Sequence, residues 1–129
     1  MASSEPDRLR MARILIVDDE AGLAELVRTL LEDEGYTAEA VHSGQEALDL
    51  IAMEAYDLVI CDLRMPDIDG LVVCRTVEQR APQPAVLLMT GHAEGATYVR
   101  DLPGIRRMDV LAKPVGIDEL RERVRTMLA

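Results

Sequence analysis

The sequence predicts a doubly wound α/β domain, a mostly parallel five-stranded sheet with helices packed on both faces. Three observations predict it. Short β-type apolar runs alternate with stretches of helical period along the chain, the pattern of repeated strand-then-helix units. One run, Asp57-Leu-Val-Ile-Cys61, is continuously apolar after its first residue, as expected of a strand covered on both sides at the centre of a sheet. The length, 129 residues, suits one hydrophobic core rather than two.

Residues 1–12 read as a polar tail, since Ser3, Ser4, Pro6 and Asp7 offer no periodic apolar face, and the domain is expected over residues 13–129. Its first strand is Ile14-Leu-Ile-Val17, and Leu23, Leu26, Val27, Leu30 and Leu31 supply the inner stripe of the first helix. Gly35 is placed to end that helix in a left-handed turn. Thr37 to Val41 makes a weaker second strand, Ser43 an N-cap, and Ala47, Leu48 and Ile51 the inward face of a second helix. After the central strand, Pro66 and Gly70 mark a loop before a third helix through Val73 and Val77. Pro82 and Pro84 then bound the fourth strand, Ala85 to Met89. Gly91, Gly95, Pro103 and Gly104 interrupt residues 91–108, so a fourth helix there is expected to be short or irregular. Val110-Leu-Ala112 is a short fifth strand, and Ile117, Leu120, Val124 and Leu128 form one stripe on the last helix.

Composition narrows the function. Fourteen basic residues against twenty-four acidic ones give a net charge of −10, a field that repels phosphate backbones and anionic lipid headgroups. Direct nucleic-acid binding and membrane binding are both disfavoured. No apolar run approaches the ~20 residues a membrane helix needs, and the opening residues lack the regions of a signal peptide, so the cytoplasm is the expected location. Cys61 and Cys74 sit in apolar and amphipathic runs and read as buried small side chains rather than a disulfide or metal pair.

In doubly wound folds ligands bind outside the carboxyl ends of the strands. Asp18 and Asp19 close the first strand, Asp62 the third, Thr90 the fourth and Lys113 the fifth, so all five belong to one edge. Two like charges ~4 Å apart repel by roughly 4 kcal/mol at an effective dielectric near 20, so three gathered carboxylates require a cation. A hard divalent ion, Mg²⁺ or Mn²⁺, takes carboxylate oxygens and leaves a position for a substrate phosphate, while Lys113 adds a fixed charge. With both in place a carboxylate can attack phosphorus and form an acyl phosphate. Asp62, alone at the end of the central strand, is the candidate nucleophile. The Thr90 hydroxyl can donate to a phosphoryl oxygen, and Gly91 beside it keeps the approach open.

Four motifs, Ile14-Leu-Ile-Val-Asp-Asp-Glu20, Asp62-Leu-Arg-Met-Pro-Asp-Ile-Asp-Gly70, Met89-Thr-Gly91 and Lys113-Pro114, occur in order, each at a strand end. Together they make the chain resemble a response-regulator receiver domain of two-component signalling, from Arg13 to Ala129. The resemblance implies the flavodoxin-like strand order 2-1-3-4-5 and phosphoryl transfer to Asp62 from a histidine kinase or phosphotransfer protein. It also implies metal held by Asp19, Asp62 and the Arg64 backbone carbonyl, with Asp18 acting largely through water, and phosphoryl contacts from Thr90 and Lys113. Lys113-Pro114 is implied to be a cis peptide. Such a domain is a phosphoacceptor that assists its own phosphorylation and dephosphorylation rather than an enzyme. Its surface around the fourth helix, fifth strand and fifth helix controls a downstream target protein or output domain, with a homodimer as a further partner.

The chain departs from the family pattern at three places: Val110 stands where Tyr or Phe is usual, Arg106-Arg107 replaces a small pair, and Val115 follows Lys-Pro where Phe is common. The expected consequence, with Pro103-Gly104 inside the stretch, is that ordering of residues 94–107 rather than an aromatic rotamer reports phosphorylation. Separately, Arg64 and His92, two residues beyond Asp62 and Thr90, are expected to set the acyl-phosphate lifetime by screening attacking water. Two rival readings share the sheet. A haloacid-dehalogenase-type phosphohydrolase places its nucleophile after the first strand with a second Asp two positions on, a spacing Asp18-Asp19-Glu20 lacks. A phosphorylation-independent interaction module is the other.

Overall fold

The computed structural model describes residues 12–91 and 104–129. In chain order the elements are β1 (Arg13–Val17), α1 (Ala21–Asp33), β2 (Thr37–Val41), α2 (Gly44–Met53), β3 (Leu58–Asp62), α3 (Gly70–Glu78), β4 (Ala85–Thr90), β5 (Met108–Ala112) and α4 (Ile117–Leu128). The strands form one sheet in the order β2-β1-β3-β4-β5, every neighbouring pair parallel. The strand order and the doubly wound class are those expected. Of the polar tail expected over residues 1–12, residues 1–11 lie outside the described residues, as does the irregular helix expected before β5 apart from its flanks. Ala12 is buried and accepts the Thr37 N–H at 3.0 Å.

Alternation along the strands sorts the core into two layers. Leu15, Val17, Val59, Cys61, Val86 and Leu88 point to the side covered by α2 and α3 through Ala47, Ile51, Val73, Cys74 and Val77. Ile14, Ile16, Leu58, Ile60, Leu87 and Met89 point to the other side, under Ala24, Val27 and Leu31 of α1 and Leu120 and Val124 of α4. All five residues of β3 are buried, which is why its sequence reads as one apolar run. Each fully buried Leu or Ile contributes roughly 1.5–3 kcal/mol, so the two layers anchor the strand ends firmly.

The helix ends follow their capping chemistry. Gly35 adopts φ 98° and donates its N–H to Glu32 O at 2.9 Å, turning the chain from α1 into β2. Ser43 Oγ accepts the Glu46 N–H at 3.2 Å at the start of α2, and Asp69 accepts the Leu71 N–H at 2.9 Å at the start of α3.

Four details differ from expectation. Leu26 is 51% exposed and Leu30 only half-buried, because the smaller Ala24 takes the inward position on α1. The central strand starts at Leu58, one residue later than expected, although Asp57 still donates its N–H to Arg13 O at 2.8 Å and accepts the Ala85 N–H at 3.0 Å, while its carboxylate accepts the Arg13 N–H at 2.8 Å. Strand β5 starts two residues earlier, with Met108 paired to Val86. The Gln83 side chain prepares that start, donating to Gly104 O and accepting from Arg106 N–H, each at 2.8 Å. Ile117, the first residue of the last helix, is 47% exposed rather than inward.

Candidate functional site

Parallel pairing brings the carboxyl ends of β1, β3, β4 and β5 to one edge, and backbone bonds carry the ladder one residue beyond them. Asp18 N–H donates to Val41 O at 3.2 Å, Leu63 N–H to Met89 O at 2.9 Å and Lys113 N–H to Thr90 O at 2.8 Å. Asp18, Asp62, Thr90 and Lys113 therefore leave the sheet from fixed backbone positions.

Lys113 binds the group together. Its Nζ lies 3.2 Å from Asp18 Oδ2, 3.0 Å from Asp62 Oδ2 and 3.9 Å from Glu20 Oε1. The Asp18 side chain is fully buried and that of Asp62 is 11% exposed. Their remaining oxygens take backbone donors: Asp18 Oδ1 accepts Glu20 N–H at 3.0 Å and Asp62 Oδ1 accepts Arg64 N–H at 3.2 Å. Burial pushes the Lys113 ammonium down, but the hydrogen bond to Asp62 and the charges of Asp18 and Asp62 outweigh it and hold the group above its usual range.

Carboxylate oxygens of Asp18, Asp19 and Asp62 lie within 4.8 Å of one another, with Asp19 exposed. One ammonium against three carboxylates leaves the cluster strongly anionic. An all-oxygen donor set with one face open to solvent suits a hard divalent cation, Mg²⁺ or Mn²⁺, better than a soft one. Thr90 is buried as the last residue of β4, and among the described residues nothing lies within 4 Å of where a Cβ on Gly91 would stand. Arg64 is exposed two residues beyond Asp62. His92 and most of residues 94–107 lie outside the described residues. Lys113-Pro114 is cis.

Two residues matter more than their sequence signal indicated. Gly70, read only as a loop marker, has no space for a side chain: a Cβ there would lie 2.9 Å from Asp62 O and Leu63 Cα, so glycine lets α3 begin directly against the end of β3. Glu20 belongs to the first motif, and its carboxylate stands at the edge of the cluster. A groove of about 420 Å³ opens beside Glu20 and Lys113 and runs between α1 and α4, lined largely by apolar side chains including Leu23, Leu26, Val115 and Ile117.

The response regulator receiver domain model matches residues 14–125. The chain belongs to that family. It is 37% identical over 116 residues to the response regulator MprA of Mycobacterium avium, covering 90% of this chain and 50% of that protein. The MprA of Mycolicibacterium vanbaalenii is 38% identical over the same share. The chain thus spans about half the length of the curated relatives it matches. Among solved structures it is similar to the response regulator TrrA of Thermotoga maritima in complex with Mg(2+)-BeF, with TM-score 0.79, 33% identity, and coverage of 92% of this chain and 100% of that one. A CheY-like receiver domain protein of Methanospirillum hungatei superposes with TM-score 0.82 at 29% identity, covering 92% and 94%. The receiver is a module of two-component signalling systems. Among the described residues, no helix is long and apolar enough to cross a membrane.

Proposed function

We propose that this receiver is a phosphorylation switch in which Asp62 takes a phosphoryl group from a histidine kinase or phosphotransfer protein, with a divalent ion bound beside it. The observation that carries the reading is the Lys113 ammonium bridging Asp62 and the buried Asp18 while the oxygens of Asp18, Asp19 and Asp62 converge. The relative solved with Mg(2+)-BeF supports Mg²⁺ as the ion; Asp19, Asp62 and the Arg64 carbonyl would hold it, and Asp18 would act largely through water. When bound, the ion supplies the positive charge that lets an anionic phosphoryl group approach a carboxylate.

The chain's own residues do the rest. An Asp62 oxygen attacks phosphorus as the bond to the donor's imidazole nitrogen breaks, and that nitrogen keeps the electron pair and takes up a proton. Lys113 follows the negative charge from the carboxylate to a phosphoryl oxygen, and Thr90 donates its hydroxyl to another. Arg64, exposed beside the site, screens attacking water and so sets the lifetime of the acyl phosphate, a role shared with His92. The switch works in the cytoplasm and acts on a downstream protein or output domain, or on a second copy, through the surface around β5 and α4. Val110, half-buried on β5, supplies no aromatic side chain to act as a relay at that position.

The test is mass spectrometry after incubation with Mg²⁺ and acetyl phosphate. The expected result is one labile phosphate on the parent and none on Asp62→Asn, with a label that decays faster in Arg64→Ala. Turnover of diverse phosphate esters would instead support a hydrolase. No modification of either chain would support a phosphorylation-independent module.

The groove between α1 and α4 gives the phosphodonor its docking surface, because it is apolar and ends at Glu20 and Lys113. Leu26→Asp should slow transfer from a phosphohistidine protein that labels the parent by at least about tenfold, a loss of about 1.4 kcal/mol, and leave labelling by acetyl phosphate unchanged. Equal rates with the protein donor would exclude this surface.

A further inference from the structure

The segment that carries Arg64, residues 63–69, is tied to a helix that contributes nothing directly to the site. Both carboxylate oxygens of Asp67 are engaged there: Oδ1 accepts Gly44 N–H at 3.1 Å and Oδ2 accepts Gln45 N–H at 3.2 Å. These are the first two N–H groups of α2, which have no partner within the helix, and the helix dipole favours a negative charge at that end. Ser43 caps the same end locally through Glu46 N–H. The neighbouring residue closes the clasp by packing, since a Cβ on Gly44 would fall 2.6 Å from Ile68 Cβ.

Elsewhere the segment is held at its ends, by Gly70 N–H to Leu63 O at 2.9 Å and by the Asp69 cap on α3. Between those ends, Arg64 N–H reaches Asp62 Oδ1 at 3.2 Å, and Asp67 holds the outer half of the loop against α2. The two bonds from α2 also hold the Asp67 carboxyl below the usual carboxylate range.

We propose that Asp67 is a positioning residue for the phosphoryl site, clamping residues 63–69 to the start of α2 so that the Arg64 backbone is set against the Asp62 carboxylate. The inference rests on the reading of Asp62 and its metal pocket given above. Groups that orient a metal site without touching the ion typically change affinity 10–100-fold when removed, and a clamp one loop away belongs at the low end of that range.

The test uses Mg²⁺ titrations of the unphosphorylated chain followed by amide NMR shifts, together with amide exchange at Arg64. Asp67→Ala should weaken Mg²⁺ binding by about tenfold and speed exchange at Arg64, while the labelling rate at saturating Mg²⁺ stays near that of the parent. Asp67→Asn keeps one of the two acceptor oxygens without the charge and should recover part of the affinity. Gly44→Ala alters no charge and strikes the clasp from the other side, so it should reproduce the Asp67→Ala defect. Equal losses in Asp67→Ala and Asp67→Asn with none in Gly44→Ala would reduce the effect to net charge and overturn the proposal. So would a lowered unfolding midpoint with unchanged Mg²⁺ affinity, the mark of a helix cap alone. If the parent itself neither binds Mg²⁺ nor takes a phosphate on Asp62, the proposed switch fails instead.

Discussion

Lys113→Met should lower the midpoint of thermal unfolding sharply in chelator-treated buffer, and Mg²⁺ should restore a larger part of that stability than it adds to the parent. Asp18 is fully buried and Asp62 nearly so, and both carboxylates share the Lys113 ammonium at 3.2 and 3.0 Å. Removing one partner of a buried charged group typically costs about 3–5 kcal/mol, because the charge left behind has already lost its water. For a domain whose whole stability is about 5–15 kcal/mol, that is a large fraction, equivalent to a drop on the order of 10–20 °C. A divalent ion bound to the same carboxylates would replace the missing charge, and with the ammonium gone it meets less repulsion, so the variant should bind it more tightly. Ligand at a hundred times its dissociation constant stabilises by about 2.7 kcal/mol. Labelling by acetyl phosphate should nonetheless fall by about 10²-fold, as for loss of one preorganised electrostatic group, because in the proposed switch the ion would not replace Lys113 at a phosphoryl oxygen. A variant as stable as the parent in chelator, and labelled at the parental rate, would show that the bridge seen in the structure has no energetic role.

How much of this arrangement could be read beforehand depends on whether the signal is local. Asp18, Asp62, Thr90 and Lys113 were legible because parallel strands place their last residues together, so a strand pattern alone brings four distant positions to one edge. The stripe on α1 was less legible. Leu26 and Ala24 are both apolar, and hydrophobicity favours the larger one, yet the small Ala24 is the one buried in the layer with Val27 and Leu31, and Leu26 lines the groove instead. Asp57 looked like the first residue of a strand because its neighbours are apolar; its backbone does bond to Arg13 and Ala85, and its carboxylate accepts the Arg13 N–H of the neighbouring strand as well. Asp67 had no local signature for its clasp, because its partners lie 22 and 23 residues earlier in the chain, on another element. The start of β5 was hidden similarly, since pairing with β4 and the Gln83 side chain, rather than periodicity, extends it to Met108.

Stability is also expected to fall steeply as pH rises above about 8.5 in reducing buffer, near the ordinary thiol pKa, owing to Cys61 and Cys74. Both are free and buried. Burial, aided by the nearby negative charges of Asp69 and Glu78, pushes the Cys74 thiol up to about 12. Burial also raises Cys61, with Cys74, Asp62 and Asp18 adding to the effect. A group whose folded-state pKa is raised contributes stability that is fully present below its unfolded pKa and is lost as pH rises through the folded one, because only the unfolded chain releases the proton. Each thiol therefore removes about 1.4 kcal/mol per pH unit in that window, and two remove about 2.7. Between about pH 8.5 and 10 the loss is on the order of 4 kcal/mol, comparable with the whole stability of a marginal domain. Above about pH 10 Tyr36 and Tyr56, both raised mainly by burial, add to it. Urea unfolding at several pH values measures the slope: Cys74→Ala should halve it, and the double alanine variant should flatten it up to the tyrosine range. Identical slopes in the parent and the double variant would refute the assignment. The effect bears on the phosphoryl site because Cys61 immediately precedes Asp62 on β3 and its thiol donates to Asp62 O at 3.2 Å. A thiolate there would add a negative charge behind a cluster that already holds three carboxylates against one ammonium, so the core thiol must stay protonated for the carboxylates in front of it to be held together.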